Sequence, residues 1–446
     1  MRWLSDQIGT IRQRRKEMRK VGAIVFAIVF FFVCSFAVFA GGQSEATAKA
    51  ATMSATAKTK IVWVEWWKNE WSSSVMDKLV SGFEAKYPNV TVDVIDHNWW
   101  DTHNTEIAMA QAGTQQDVLG MEGVWMSTLD KLGMLENLGP WLDKEGAAYK
   151  DRFVGPALVK YRGEIKAIYI YVYPFAVAYN PPMLKAAGLQ PATSLTELIS
   201  QLKTLTDPKK NVYGASLALS SDAAYQAMMT FGLFLAQYGG QFENADGTAA
   251  FNSPAGVKAL DYMKSLVDQK VIVPDPLAQT AKQTREYFAA NETPYTFDGP
   301  FITTITKQAN PDLTPAYTPP MTTAAGGYVV SGSGLSMSAK SQHKQEAWDF
   351  IKYMMSDPVA SMMVKVTGLP WGIKSMASDP FVQSSAVLSQ APAMIQNPNS
   401  ILFPVIPNAD KVQTAFINNI QAAVQGQKSV QQALSDAADS WNSLVK

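Results

Sequence analysis

The chain has 446 residues, with 38 Lys+Arg against 38 Asp+Glu, 47% hydrophobic residues and only 17% charged. That length allows two or three packed domains, and 12 Trp, 16 Tyr and 20 Phe supply enough apolar surface to exclude wholesale disorder. Balanced charge without a long basic block argues against a nucleic-acid binder held by phosphate contacts.

The balance hides an asymmetric start. Seven basic residues (Arg2, Arg12, Arg14, Arg15, Lys16, Arg19, Lys20) stand against Asp6 and Glu17, ahead of the apolar run 21–40. The remaining 406 residues hold 31 basic and 36 acidic groups, so they are mildly acidic. Basic cluster, apolar run and the small exit residues around Ala40 predict a secretory signal peptide, with Met18 as a possible alternative start. Two other readings of the leader stay open: an uncleaved anchor, since 20 apolar residues can just span a bilayer, and lipidation at Cys34. Cys34 is the single cysteine, so the body holds neither a disulfide nor a thiolate-bound metal. Residues 41–58, rich in Ala, Thr, Ser, Gly and Lys, read as a flexible linker, and the folded body is expected from Thr59.

Ile61 to Val64 reads as a strand, and Val75, Met76, Leu79, Val80 and Phe83 repeat at helical spacing until Pro88. Val90, Val92 and Val94 alternate as a strand. A helix is expected over 105–112, stopped by Gly113, and strand resumes at 117–119. Strand–helix–strand–helix–strand is a parallel α/β pattern, in which ligands lie beyond the carboxyl ends of the strands. The three loops there read EWWKNEW (65–71), DHNWW (96–100) and MEGVW (121–125). Any one of these six tryptophans could plug a core, but as a set, beside Glu65, Glu70, Asp96 and Glu122, they predict an aromatic-lined cleft.

Further along, 167–173 and 175–179 read as two strands parted by Pro174, and helices are expected over 194–206, 223–238 and 254–269. Thr293–Phe297 reads as a strand entering Asp298-Gly299-Pro300-Phe301. Residues 326–334 are Gly-rich but strand-like, a helix follows at 344–355, and two helices close the chain, the last opened by a Ser429/Gln432 capping box. No internal repeat is visible.

Catalytic signatures are sparse. The sequence has no HExxH, GxxxxGK[ST] or GxSxG, and His97 and His103 are spaced wrongly for a shared metal. No metal or cofactor is expected. Glu65, Glu70, Glu122 and Asp298 leave a glycosidase-type acid pair open as the minority reading.

Five segments in order carry a resemblance: QQDVLGMEGVWMSTLDKLGMLENL (115–138), AVAYNPPMLKAAGL (176–189), FAANETPYTFDGPF (288–301), SGSGLSMSAKSQHKQEAWDFIKYMMSDPVASMM (331–363) and TGLPWGIKSM (367–376). They resemble the bacterial extracellular solute-binding proteins of the sugar-binding family 1 type, the group containing maltodextrin-binding protein. Phe301 stands where the family often has Trp, Gln116 where it often has Pro, and the lipobox is poor.

The resemblance implies an α/β, two-lobed periplasmic-binding-protein fold (type II-like), with an interlobe cleft and hinge crossings near 173–174, 300–301 and 354–355. One lobe would take 59–173 and 302–350, the other 174–301 and 351–446. It implies the solute-binding component of an ABC importer: exported to the periplasm or cell surface, monomeric, binding an oligosaccharide by lobe closure and handing it to permease subunits without bond making. The alternatives are a secreted carbohydrate-active enzyme and a non-transport sensor or adhesin. Resemblance and loop composition together give the expected ligand-binding set: Trp66, Trp67, Trp99, Trp100, Glu122, Trp125, Tyr173, Asp298, Phe301 and Trp371.

Overall fold

The computed structural model describes residues 58–321 and 325–445. The leader, its three alternative fates and nearly all of the linker lie outside them. Among the described residues no helix is long and apolar enough to cross a membrane.

The first sheet begins with β1 (Thr59–Glu65), β2 (Val90–Asp96) and β3 (Val118–Glu122), in order β2-β1-β3 and all parallel. Helix Ser73–Lys86 links the first two and buries Met76, Leu79 and Phe83. Helix Trp99–Ala112 links the second and third. It starts earlier than expected, because the Asn98 side chain accepts from the Asp101 N–H at 3.0 Å and caps it. Trp99 and Trp100 therefore open a helix instead of sitting in a loop. Parallel register places Glu65 opposite Asp96 and Val64 opposite Leu119, so the ends of β1 and β2 and the Trp-bearing loops gather at one edge.

Beyond β3 the sheet turns mixed. β8 (Val329–Met337) runs antiparallel between β3 and β5 (Glu164–Tyr179), and β4 (Leu158–Tyr161) lies outside β5. Glycine is required in β8, where a Cβ on Gly334 would lie 2.0 Å from the Ile168 carbonyl oxygen. The Gly-rich run is thus a strand squeezed between two others, and its glycines admit close backbone approach.

Residues 164–179 form one strand, not two. Pro174 pairs with Val330, while the neighbouring Val172 N–H goes to the Pro370 carbonyl at 3.0 Å. With the β4 pairing ended opposite Ile168, no partner on that side asks Pro174 for an N–H. Its last residues, Ala176–Tyr179, leave the first sheet and pair with β6 (Tyr295–Asp298) and β7 (Ala316–Tyr317) in a second sheet. Because β7 belongs there, the chain stays with the second sheet past Phe301, and only at β8 does it rejoin the first. The short β9 (Ile401–Leu402) pairs parallel with the start of β8.

Helices Ala224–Gln237, Pro254–Asp268, Ala409–Val424 and Val430–Leu444 pack together, with Phe231 meeting Phe416 at 5.1 Å and Phe251 at 6.2 Å. The last of these is capped by Ser429, whose hydroxyl accepts from Gln432 N–H at 3.1 Å. The return half of the expected box is missing, since the Gln432 amide reaches Asp436 at 2.7 Å.

Candidate functional site

Where β1 and β3 end, β5 and β8 pass alongside, and helix Ala281–Ala289 faces them, the chain encloses a cavity of about 770 Å³. That volume lies within the roughly 300–1,000 Å³ typical of small-molecule sites. Five of the expected residues line it: Trp66, Trp99, Glu122, Tyr173 and Phe301. Tyr173 meets Phe301 edge to face at 5.4 Å.

Four others stand behind this wall. Trp67 is fully buried, with centroids 4.1 Å from Trp66 and 5.2 Å from Trp71, and its indole donates to the Tyr171 hydroxyl at 2.9 Å. Trp125 is buried beneath Trp66 and Trp99, at 5.0 and 4.9 Å. Trp371 is buried with its indole bonded to the Met354 carbonyl at 3.0 Å. Asp298 has no exposed surface and both oxygens engaged, by Arg285 Nε at 2.7 Å, Arg285 Nη2 at 3.2 Å and Gly299 N–H at 2.9 Å. These four are corrections to the expected set: none of them lines the cavity, because neighbouring rings cover the three indoles and Arg285 with the Gly299 N–H takes up the Asp298 carboxylate. The Trp100 side chain lies outside the described residues.

The cavity also takes in Trp71, Tyr171, Tyr225, Gln226 and Arg285, none of them in the expected set. Tyr171 had a signal, since residues two apart on a strand share a face and Tyr173 stands in the expected set. Trp71 had one too, lying in the same loop as Trp66. Tyr225, Gln226 and Arg285 sit on helices remote in sequence and carried no signal.

Charge gives the site its second character. Arg285 is clamped to Asp298 and lies 4.7 Å from the Phe301 ring centroid, so the ring carries a cation on one face. Opposite stand two acids. Burial, with the like charge of Glu70, pushes Glu122 up to about 8, although hydrogen bonds from Ser333 and Trp99 pull it down. Glu70 is raised to about 7 by desolvation and partly restrained by Arg285; water still reaches it through the cavity mouth. Near neutral pH Glu122 therefore holds its proton and can donate a hydrogen bond as well as accept one. Gln226 spends its amide N–H on the Phe297 carbonyl at 3.1 Å, which leaves its carbonyl oxygen as an acceptor. The arrangement is aromatic faces with hydrogen-bonding groups between them. No group of three or more metal-ligating side chains is present among the described residues.

The sequence profile of the family described as bacterial extracellular solute-binding protein matches residues 68–361. The chain belongs to that family, and its fold is the two-lobed α/β fold of periplasmic solute-binding proteins. Among curated proteins it is 23% identical over 225 residues to the melibiose/raffinose/stachyose-binding protein MelE of Bacillus subtilis, a match covering 48% of this chain and 53% of that protein. The match thus spans about half the length of this curated relative. A solute-binding protein from Thermotoga lettingae, solved with alpha-D-tagatose, superposes with a TM-score of 0.75 at 22% identity, over 87% of this chain and 100% of that one. A cyclic alpha-maltosyl-1,6-maltose binding protein from Arthrobacter globiformis gives 0.76 at 21%, over 87% and 99%.

Proposed function

We propose that this protein is the extracytoplasmic solute-binding component of an ABC importer, taking a carbohydrate into the cleft and delivering it to membrane permease subunits. The carrying observation is the 770 Å³ cavity in which Trp66, Trp99, Tyr173 and Phe301 alternate with Glu70, Glu122 and Gln226. A sugar ring has an apolar C–H face and a rim of hydroxyls; aromatic rings cover the first, and acceptors and donors meet the second. The relatives' named ligands are sugars, which supports the same class here. Binding would draw the lobes together, shifting an open–closed equilibrium that the permease reads. The protein would act outside the cytoplasm, as a monomer, with no bond made or broken.

The lobes of this reading follow the two sheets. A crossing near Tyr173-Pro174 is supported by the change of sheet in β5 between Phe175 and Ala176. The pairing of β7 favours a second crossing after Tyr317 in place of Phe301. A third is kept near Met354-Met355.

The test is a tryptophan-fluorescence titration against a panel of di- to tetrasaccharides and free hexoses. Saturation by at least one sugar, with no product formed on prolonged incubation, is expected. Saturation only by a peptide or polyamine refutes the ligand class, and turnover lost in Glu122→Gln favours the enzyme reading.

A further inference from the structure

A second cavity of about 340 Å³ shares Glu122 and Tyr225 with the cleft. A hydroxyl chain crosses this shared wall. Tyr173, which lines only the cleft, meets the Tyr225 hydroxyl at 3.4 Å, and Tyr225 meets Ser331, which lines only the second chamber, at 3.1 Å. Leu158 of β4, Phe403 and Val405 supply an apolar lining.

The polar groups of this chamber are unbalanced. Glu243 contributes to its wall, is half-buried, and has no hydrogen-bond or ion-pair partner among the described residues. Glu122 closes the wall shared with the cleft. The other titratable groups lining the chamber are the phenols Tyr169 and Tyr225, which supply no positive charge at neutral pH, and Lys160, whose side chain is exposed. An anionic occupant would face the Glu243 carboxylate with no buried positive charge to offset it, whereas a cation would give Glu243 the partner it lacks. At roughly 30 Å³ per water-sized group, the chamber holds about ten non-hydrogen atoms.

We propose that this chamber is a second small-molecule site, distinct from the sugar cleft, which takes a compact organic amine with its ammonium on Glu243 and its apolar body against Leu158, Phe403 and Val405. Since Tyr225 and Glu122 face both spaces, an occupant there bears on the wall of the cleft.

The probes are benzylamine and benzyl alcohol, alike in shape and different in charge, titrated into the intact exported chain by calorimetry. At pH 8 benzylamine should saturate at least tenfold more tightly than benzyl alcohol, and at pH 5 that preference should shrink as Glu243, which burial raises to about 7, takes up its proton. Glu243→Gln should abolish the preference at pH 8 while the melting temperature stays within a few degrees. Leu158→Trp, which fills the chamber, should remove binding of both probes. Equal affinity for the two probes, absence of saturation by either, or a preference surviving in Glu243→Gln (which would put the amine on Glu70 and Glu122 of the cleft) each overturns the assignment.

Discussion

Glu122 ties the site to the stability of the fold, and Glu122→Gln is the perturbation that exposes the link. Its side chain is 7% exposed and burial raises it from 4.5 to about 8. The folded state therefore keeps a proton that the unfolded chain releases above its ordinary value. Stability from this group is complete below about pH 4.5 and is lost as pH rises toward about 8. Each pH unit in that window costs about 1.4 kcal/mol, so the fall between pH 5 and pH 8 is capped near about 4 kcal/mol. Glutamine keeps the shape and a group for the Ser333 hydroxyl to bond, but does not titrate. Urea unfolding of both proteins at pH 5, 6, 7 and 8, with equal m-values, should show the variant gaining on the wild type by up to about 1.4 kcal/mol per unit. Glu65 and Glu70, both raised to about 7, titrate in both proteins and cancel in the difference. A difference constant with pH refutes a buried, proton-holding Glu122.

Two aromatic substitutions should separate wall from core. Phe301→Ala, at a half-buried ring on the cavity, should weaken sugar binding by ~1–3 kcal/mol in the fluorescence titration with little change in melting. Trp67→Ala should lower unfolding stability by roughly 3–5 kcal/mol, and the fraction that stays folded should bind sugar with weakening below tenfold. Arg285→Met takes the counter-ion from Asp298 in the interior; a loss of about 3–5 kcal/mol is expected, partly restored by Asp298→Asn in the double variant, and additive losses would deny the pair its coupling. Glu106 is fully buried with both carboxylate oxygens unpartnered, and burial raises it well above its usual value. Glu106→Met should therefore stabilise the protein more at pH 8 than at pH 5 by thermal unfolding, and an equal effect at both would show that Glu106 is not a buried acid.

The sequence by itself determined the local and the periodic. The alternation at Val90, Val92 and Val94, the helical stripe ending in Phe83 before Pro88 and the strand–helix order foretold the parallel start of the first sheet. Those parallel strands alone brought the loops of Trp66, Trp99 and Glu122 to one edge, which is why a cleft could be foreseen there. These features are written within a few turns of chain, where backbone geometry leaves few choices. The tertiary structure decided what depends on distant partners. Pro174 looks like a break until Val330 of β8 and the Pro370 carbonyl show that no N–H is wanted there. Trp66 and Trp67 are adjacent and chemically identical, yet one lines the cavity and the other donates to Tyr171, 104 positions away. Asp298 reads as a free cleft acid until Arg285 occupies it, and Arg285 then supplies the charge that lines the cavity. Facing solvent or facing core is a property of what packs against a side chain, and that partner stood 13 positions along the chain from Asp298 and 104 from Trp67.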